Sequence, residues 1–380
     1  MKVKMAMIGG GRGSFIGPVH RMAAALDGEC ELVAAALSGD PENARISGLE
    51  IGLSADRVYS DWKKLIDKEK NLDPLEKPDF ISIVTPNYLH FPQVVESLKA
   101  GFHVVCDKPL CLSVAEANEL ASLVRSTNRL FCLTHNYTAY PMVKLARDLV
   151  RRGELGTIVK INVEYLQGWM AVDVLKAGIR NAFWRADPAK AGICGTMGDI
   201  GTHAFNIAEY ISCLKVDSVC ADLTPTLFNR KLDDDGNVLL RFETGVKGSL
   251  LASQIALGEE NNLKIKVYGS KGSVMWEQMS PNDLMVRWPD KPYQVYRTAT
   301  AFGEVGQKNL KYSRLPSGHP EGFIEGFANI YSSFIHAVKA TKANEVPDID
   351  YPGIDEGVRG MKFLEAIVKS SAANCEWTKL

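Results

Sequence analysis

Short apolar runs alternate with helically patterned stretches through the first third of the chain. Lys4–Ile8, Glu31–Leu37, Phe80–Val84, His103–Cys106 and Leu130–Thr134 read as strands, bounded by turn formers such as Pro78-Asp79 and Thr85-Pro86. Between them, Val19–Leu26, Phe91–Ala100 and Ser113–Ser126 read as helices. Ser113, followed three residues later by Glu116, has the form of a capping box. Strand runs separated by helices predict a parallel, doubly wound sheet.

The pattern changes after Pro141. A helix is expected over Met142–Arg152, then a long strand over Ile158–Gln167 in which polar and apolar residues alternate. A helix from about Ile200 to Cys213 follows. Strand-like runs then succeed one another at Val216–Thr224, Val238–Glu243, Lys247–Gln254, Leu263–Tyr268 and Ser273–Glu277. The turns Asp235-Gly236-Asn237, Thr244-Gly245 and Gly269-Ser270-Lys271-Gly272 make this a meander of antiparallel strands. Two helices, about Glu321–Ala340 and Gly353–Ser371, close the chain. The expected class is α/β: a doubly wound domain over 1–140, then an α+β domain with a large, mostly antiparallel sheet over 141–380. The terminal helices are expected to pack back on the first domain. A sheet with helices on one face leaves the other to be covered, which predicts a homo-oligomer, dimer or tetramer, joined through that face.

Composition narrows the function. The chain has 380 residues, 46% hydrophobic and 23% charged, which suits two globular domains. A net charge of −1 gives no electrostatic case for binding nucleic acid or an anionic membrane. No apolar run approaches the ~20 residues a bilayer span requires. The first residues enter a strand without a signal-peptide pattern, so a cytoplasmic protein is expected. The eight cysteines form no C-x-x-C pair and no Cys/His cluster with metal-site spacing, so buried free thiols and no metal are expected.

Chemistry first appears after the first strand, at Gly9-Gly10-Gly11-Arg12-Gly13-Ser14-Phe15-Ile16-Gly17. A dinucleotide site needs glycines here, for a tight turn, close approach of pyrophosphate and helix–strand packing. The strict G-x-G-x-x-G spacing fails at Ser14; Gly17 reads as the third glycine displaced by an insertion. This makes the first domain a Rossmann-type fold, with Gly9, Gly11, Arg12, Ser14, Phe15 and Ile16 as cofactor-binding candidates. At the end of the second strand, where an acidic residue would bind the ribose 2′-hydroxyl of NAD, stands Ser38, with Asp40 slightly late. The reading leans to NAD, with NADP as the alternative because serine tolerates a 2′-phosphate.

Two motifs sharpen this: Cys106-Asp107-Lys108-Pro109-Leu110 at a strand end, and Gly198-Asp199-Ile200-Gly201-Thr202-His203. With them the chain resembles the Gfo/Idh/MocA family (glucose–fructose oxidoreductase, inositol dehydrogenase, rhizopine catabolism protein) over nearly its whole length. The family's E-K-P motif appears as Asp107-Lys108-Pro109, with Asp for Glu. Its D-x-G-x-H motif is matched at Asp199, Gly201 and His203. Thr85-Pro86-Asn87-Tyr88-Leu89-His90 and Trp184-Arg185 also match. The resemblance implies an NAD(P)-dependent dehydrogenase acting on CH–OH groups. Its cofactor contacts extend to Thr85, Pro86, Asn87, His90, Asp107, Lys108 and Asn136, and its catalytic residues are Lys108, Asp199 and His203. The residue types fit. Oxidising a secondary alcohol requires a base for the hydroxyl proton, and His203 titrates near neutrality. Asp199, four residues earlier, shares a helical face with it. Lys108 can stabilise a developing alkoxide.

The substrate is read from fewer signals. Tyr137, Tyr165, Gln167 and Trp169 combine aromatic faces with polar groups, as a sugar ring requires. Arg185 and His319, the latter in the loop Leu315–Gly322, join Lys108, Asp199 and His203 as substrate-contact candidates. The expected reaction is hydride transfer from a ring hydroxyl of a sugar or glycoside, in its preferred version oxidation at C3 of a glucoside. The alternatives are an inositol or polyol dehydrogenase, an NAD-dependent glycosidase acting by transient oxidation, and a non-catalytic nucleotide sensor.

Overall fold

The computed structural model describes residues 2–173, 184–227 and 230–380. The chain divides into two compact units: Met1–Thr134 with Phe327–Val358, and His135–Gly326 with Arg359–Leu380.

The first unit is built on five parallel strands: β1 Val3–Ile8, β2 Cys30–Ala36, β3 Phe80–Ile83, β4 His103–Cys106 and β5 Phe131–Leu133, in the order β2-β1-β3-β4-β5. They are parallel throughout, with Ile8 opposite Ala36 on one side and Ile83 on the other. Strands β3 and β4 are buried at every position, which explains why they are apolar but for Ser82 and His103. Because β2 and β3 flank β1 on opposite sides, the order reverses at β1. A doubly wound sheet opens its ligand crevice at that point, beyond the strands' carboxyl ends.

The helices begin with α1 Ile16–Ala25. Next come α2 Pro41–Glu50, which the hydrophobic pattern does not announce, and α3 Trp62–Glu69, whose Trp62, Leu65 and Ile66 stand at helical spacing. Helix α2 buries only Ala44, Ser47 and Gly48, so it has no apolar stripe; Asp40 caps it and Pro41 opens it. Helix α3 buries Glu69, whose charge is balanced by Arg57 at 2.5 Å and by the Tyr59 hydroxyl at 2.7 Å. Helices α4 His90–Lys99 and α5 Val114–Thr127 follow. At α5 the Ser113 hydroxyl accepts from Glu116 N–H, while the Glu116 carboxylate reaches Leu112 N–H rather than that of Ser113.

The second unit starts at the short turn Asn136–Ala139 and α6 Pro141–Arg151. Its sheet has nine strands: β6 Ile158–Leu166, β7 Val216–Thr224, β8 Asp235–Phe242, β9 Lys247–Ser253, β10 Asn262–Gly269, β11 Ser273–Glu277, β12 Asp283–Arg287, β13 Gln294–Arg297 and β14 Thr378–Lys379. Their order is β13-β12-β11-β10-β6-β9-β8-β7-β14. The sheet is mostly antiparallel, but one pairing departs from the meander expected: β6 runs parallel to β9. The long β6 is laid down first, β7–β9 fold as a meander on one side of it, and β10 returns antiparallel on the other. The helix expected from Ile200 is preceded by a π-helical turn, Met197–Gly201, and runs over Thr202–Ser212, buried almost throughout. Among the described residues no helix is long and apolar enough to cross a membrane.

Candidate active site

In the first unit the candidate cofactor surface is largely backbone. Gly9 and Gly10 have φ of +85° and +83°, a region that side chains rarely adopt. A Cβ on Gly9 would lie 2.7 Å from Thr85 Cγ2, and one on Gly11 would lie 2.8 Å from the Leu37 carbonyl oxygen. A Cβ on Gly17 would strike the Gly10 backbone, so Gly17 is the residue that lets α1 close on the loop. Helix α1 has no acidic residue in its first turn, so no carboxylate there opposes an anion at its N-terminus. The Ser14 hydroxyl accepts from Gly17 N–H at 3.2 Å. Arg12 is turned out to an ion pair with Glu50, and Phe15 is exposed. A loop that leaves no room for a Cβ at Gly9, Gly10, Gly11 and Gly17, at a helix start and the sheet's switch point, fits the pyrophosphate of NAD.

The flanking candidates support the same edge. Ser38 accepts from Asp40 N–H and Asn43 Nδ2, and Asp40 in turn caps α2, so both are held within that turn. Thr85 donates its hydroxyl to Gln93; Pro86 precedes the buried Asn87, where a short helical turn begins. His90 is fully buried with one ring nitrogen 2.8 Å from the Thr85 carbonyl oxygen and the other 2.8 Å from that of Pro109. Burial pushes its pKa down. His90 therefore ties the Thr85-Pro86 and Lys108-Pro109 segments together. Asp107 Oδ1 accepts from Lys108 N–H and from the Thr134 hydroxyl, each at 2.8 Å, which fixes the strand end that presents Lys108. Lys108 itself is half-buried, ahead of a cis peptide bond to Pro109.

In the second unit the candidate surface is made of side chains. Asp199 lies in the π turn and His203 in the first turn of the helix Thr202–Ser212, so the two straddle a π–α junction rather than one regular helix. His203 is 6% exposed. Its Nδ1 lies 3.4 Å from Nδ1 of His135, and its ring stands edge-on to Tyr137 at 4.8 Å between centroids. Asn136 is buried, and its Nδ2 meets no acceptor among the described residues.

A directed hydrogen-bond chain leads away from Asp199. Its Oδ2 accepts from Gln254 Nε2 at 2.9 Å, and Arg185 Nε stands 3.7 Å from the same oxygen, its guanidinium over the Trp184 ring. Gln254 Nε2 also donates to Gln167 Oε1 at 3.0 Å, an oxygen that accepts from Trp169 Nε1 as well. Gln167 Nε2 donates to Asn261 Oδ1 at 2.8 Å. That carbonyl oxygen cannot donate, so the Tyr165 hydroxyl, 2.6 Å away, donates to it. Tyr165 oxygen must then accept from the Tyr137 hydroxyl at 2.6 Å, and Tyr137 accepts from Asn261 Nδ2 at 3.1 Å. Tyr137, Tyr165 and Asn261 thus form a closed ring in which both phenolic protons are committed. Burial pushes both phenols upward, so they stay neutral.

Strand register assembles this chain. Leu166 pairs with Ser253 on β9 and with Asn262 on β10, so Gln167, Gln254 and Asn261 emerge together at one end of three adjacent strands. Of the substrate candidates, Tyr137, Tyr165, Gln167, Trp169, Arg185, Asp199 and His203 are brought together. His319 is not: it is exposed on the turn 315–320, its ring nitrogen 3.1 Å from the Pro316 carbonyl oxygen. Gln254 and Asn261 were not singled out in the sequence. Gln254 looks like one more strand residue, and only the parallel β6–β9 pairing reveals its place.

The turn carrying Asp199 is also clamped from below. Asp233, buried, accepts from Gly195 N–H and Met197 N–H, each at 2.7 Å, and its carbonyl accepts from Thr196 N–H. Desolvation pushes its pKa up to about 6. Among the described residues no group of His, Cys, Asp and Glu is placed to hold a metal ion.

Comparison with known proteins agrees with both halves. Residues 3–135 match the family model described as "Oxidoreductase family, NAD-binding Rossmann fold", and residues 143–275 match the GFO/IDH/MocA C-terminal domain. The uncharacterized oxidoreductase YfiI of Bacillus subtilis (strain 168) is 30% identical over 99% of this chain and 96% of its own. The crystal structure of an inositol dehydrogenase homolog complexed with NAD+, from Azotobacter vinelandii, is 31% identical, with a TM-score of 0.96 over 100% of this chain and 98% of that one. The levoglucosan dehydrogenase of Pseudarthrobacter phenanthrenivorans is 27% identical over 75% of this chain and 76% of its own. The chain belongs to the GFO/IDH/MocA family of NAD-binding oxidoreductases.

Proposed function

We propose that this dehydrogenase oxidises a secondary ring hydroxyl of a sugar or glycoside, with C3 of a glucoside as the preferred position. The observation that carries the reading is the directed chain that links Asp199, beside His203, to a cluster of amides and aromatic rings. Gln167 and Asn261 each keep one amide N–H beyond the bonds described, among the described residues, and so can donate to ring hydroxyls. Tyr137 and Tyr165, buried and with committed protons, back the amides, and Trp169 offers a half-buried face.

In this reading His203 accepts the hydroxyl proton as the C–H bond breaks, Asp199 orients the neighbouring hydroxyl or the imidazole, and Lys108 donates to the reacting oxygen. Bound NAD supplies the hydride acceptor. Arg12, Ser14, Phe15, Ile16, Ser38, Thr85, Pro86, Asn87, His90, Asp107 and Asn136 are assigned to holding or shaping its site with Gly9 and Gly11. A second reading, oxidation of a cyclitol, is favoured by the likeness to the inositol dehydrogenase homolog. Self-association through the outer sheet face, where Leu239 and Leu251 are exposed, belongs to the same proposal. A purely monomeric species in sedimentation at micromolar concentration would remove it.

The test is to incubate the protein with NAD and a panel of glucosides, free hexoses, anhydrosugars and inositols, following reduced-nicotinamide absorbance and product mass. A parallel set with a keto-sugar acceptor detects cofactor that stays bound. A glycoside product two hydrogens lighter is expected. A lighter inositol selects the second reading, release of free aglycone indicates a glycosidase, and nucleotide binding without turnover of any panel member contradicts the proposal.

A further inference from the structure

We propose that Gln254 is a positioning residue for the reaction: its side-chain amide holds the Asp199 carboxylate in its working orientation and couples it to the amide that meets the substrate. The proposal rests on the functional reading of Asp199 given above.

Four neighbours determine how this amide must lie. Gln254 is 1% exposed, and its own N–H is bound to the Asp234 carbonyl at 3.0 Å, so neither its backbone nor its side chain has water to exchange with. Its Nε2 faces two acceptors, Asp199 Oδ2 at 2.9 Å and Gln167 Oε1 at 3.0 Å. The identity of the second is itself fixed, because Trp169 Nε1–H donates to it. Reversing the Gln254 amide would set its oxygen against both of those oxygens. The remaining position, Oε1, accepts from the Thr196 hydroxyl at 2.9 Å, and Thr196 is fully buried in the segment leading into the π turn. The donors and acceptors of the side chain are therefore all directed, and both Nε2 protons are assigned.

Two consequences follow for chemistry. A hydrogen bond from a neutral amide to a carboxylate is charge-assisted, so it favours one rotamer of Asp199. The same Nε2 also fixes Gln167, whose other amide end reaches Asn261. A substrate hydroxyl seated on Gln167 is thereby registered against Asp199 through one shared nitrogen. Sequence distance hides this: Gln254 lies 55 residues from Asp199 and 87 from Gln167.

The experiment is a double-mutant cycle on kcat and KM with a panel substrate, using full-length protein. Asp199→Asn alone tests the functional reading; unchanged kcat in that variant would defeat the reading itself, whatever Gln254 does. Gln254→Leu is expected to lower kcat by about 10- to 100-fold, as for loss of a hydrogen bond to a charged group, with KM for NAD unchanged. In an Asp199→Ala background, which removes the acceptor oxygen altogether, the same change should cost less than about 3-fold. Thr196→Val, which removes only the bond that steadies Oε1, should give an intermediate loss that also vanishes in that background. The isosteric Gln254→Glu, which replaces the donor with an acceptor, should lose as much as Gln254→Leu while keeping the side-chain volume. It supplies the same comparison if the leucine variant does not fold. Equal losses from Gln254 changes in both backgrounds would mean that Gln254 supports the fold rather than Asp199, and would overturn the proposal.

Discussion

The two units offer opposite materials. In the first, the surface proposed for the cofactor is backbone: Gly9, Gly10 and Gly17 are there because no Cβ fits. In the second, the proposed substrate side is built of side chains: Tyr137, Tyr165, Gln167, Gln254 and Asn261 form one hydrogen-bonded chain across three strands and a turn. In a backbone site, substitutions act through sterics. A side-chain site can be rewritten residue by residue, which suits a fold whose relatives are described by different substrates.

The largest effect expected from this contrast is on catalysis. His203→Ala should lower kcat by about 10²- to 10⁴-fold, as for loss of a general base, while NAD affinity measured by fluorescence titration stays unchanged. A matching fall in NAD affinity would erase the separation between the units.

Acid should distinguish the two units next. Burial holds His20 and His103 of the first unit near a pKa of about 4, against 6.5 ordinarily. The unfolded chain then takes the proton first, so stability is full above about pH 6.5 and is lost as pH falls towards about 4. For fully buried His20 this is on the order of 3 kcal/mol. Asp233 in the second unit has the reverse sign. Its pKa of about 6, against 3.8, makes the folded state take the proton first, so acidification from about pH 6 to 3.8 favours folding. Denaturant unfolding at pH 7 and pH 4.5 should show a smaller stability loss for His20→Leu than for the parent, and a larger one for Asp233→Asn.

Gly17→Ala should cost about 1–3 kcal/mol, because its Cβ meets the Gly10 backbone; the loss should appear in NAD affinity and in melting temperature. The smallest effect is expected for Tyr165→Phe. It leaves Asn261 Oδ1 and the Tyr137 hydroxyl each one partner short, at about 1–2 kcal/mol, with substrate KM raised and NAD affinity untouched.

What could be read from the sequence follows the same division. The glycine loop, Asp107-Lys108-Pro109 and Asp199-x-Gly201-x-His203 are local, so their spacing survives in the linear chain. Strands β3 and β4 announce themselves because burial at every position leaves them mostly apolar. Helix α2 does not, since its inward face is Ala44, Ser47 and Gly48. The partners of Asp199 were hidden for a different reason. Gln254 and Asn261 acquire meaning only through the parallel β6–β9 pairing and the β6–β10 register, and a strand run in the sequence does not state its neighbour. His319 shows the converse, a residue of suitable type in a suggestive loop that the fold leaves exposed beside Pro316.

The central claim is hydride transfer from a ring carbon with proton removal by His203. Its most direct test uses a glucoside deuterated at C3, with a myo-inositol deuterated at all ring carbons run alongside. The prediction is deuterium in the reduced nicotinamide from the glucoside, with turnover slowed by the isotope and abolished in His203→Ala. Deuterium arriving only from the inositol would move the substrate to a cyclitol. Unlabelled nicotinamide with both, in a sample shown to bind NAD, would contradict the claim.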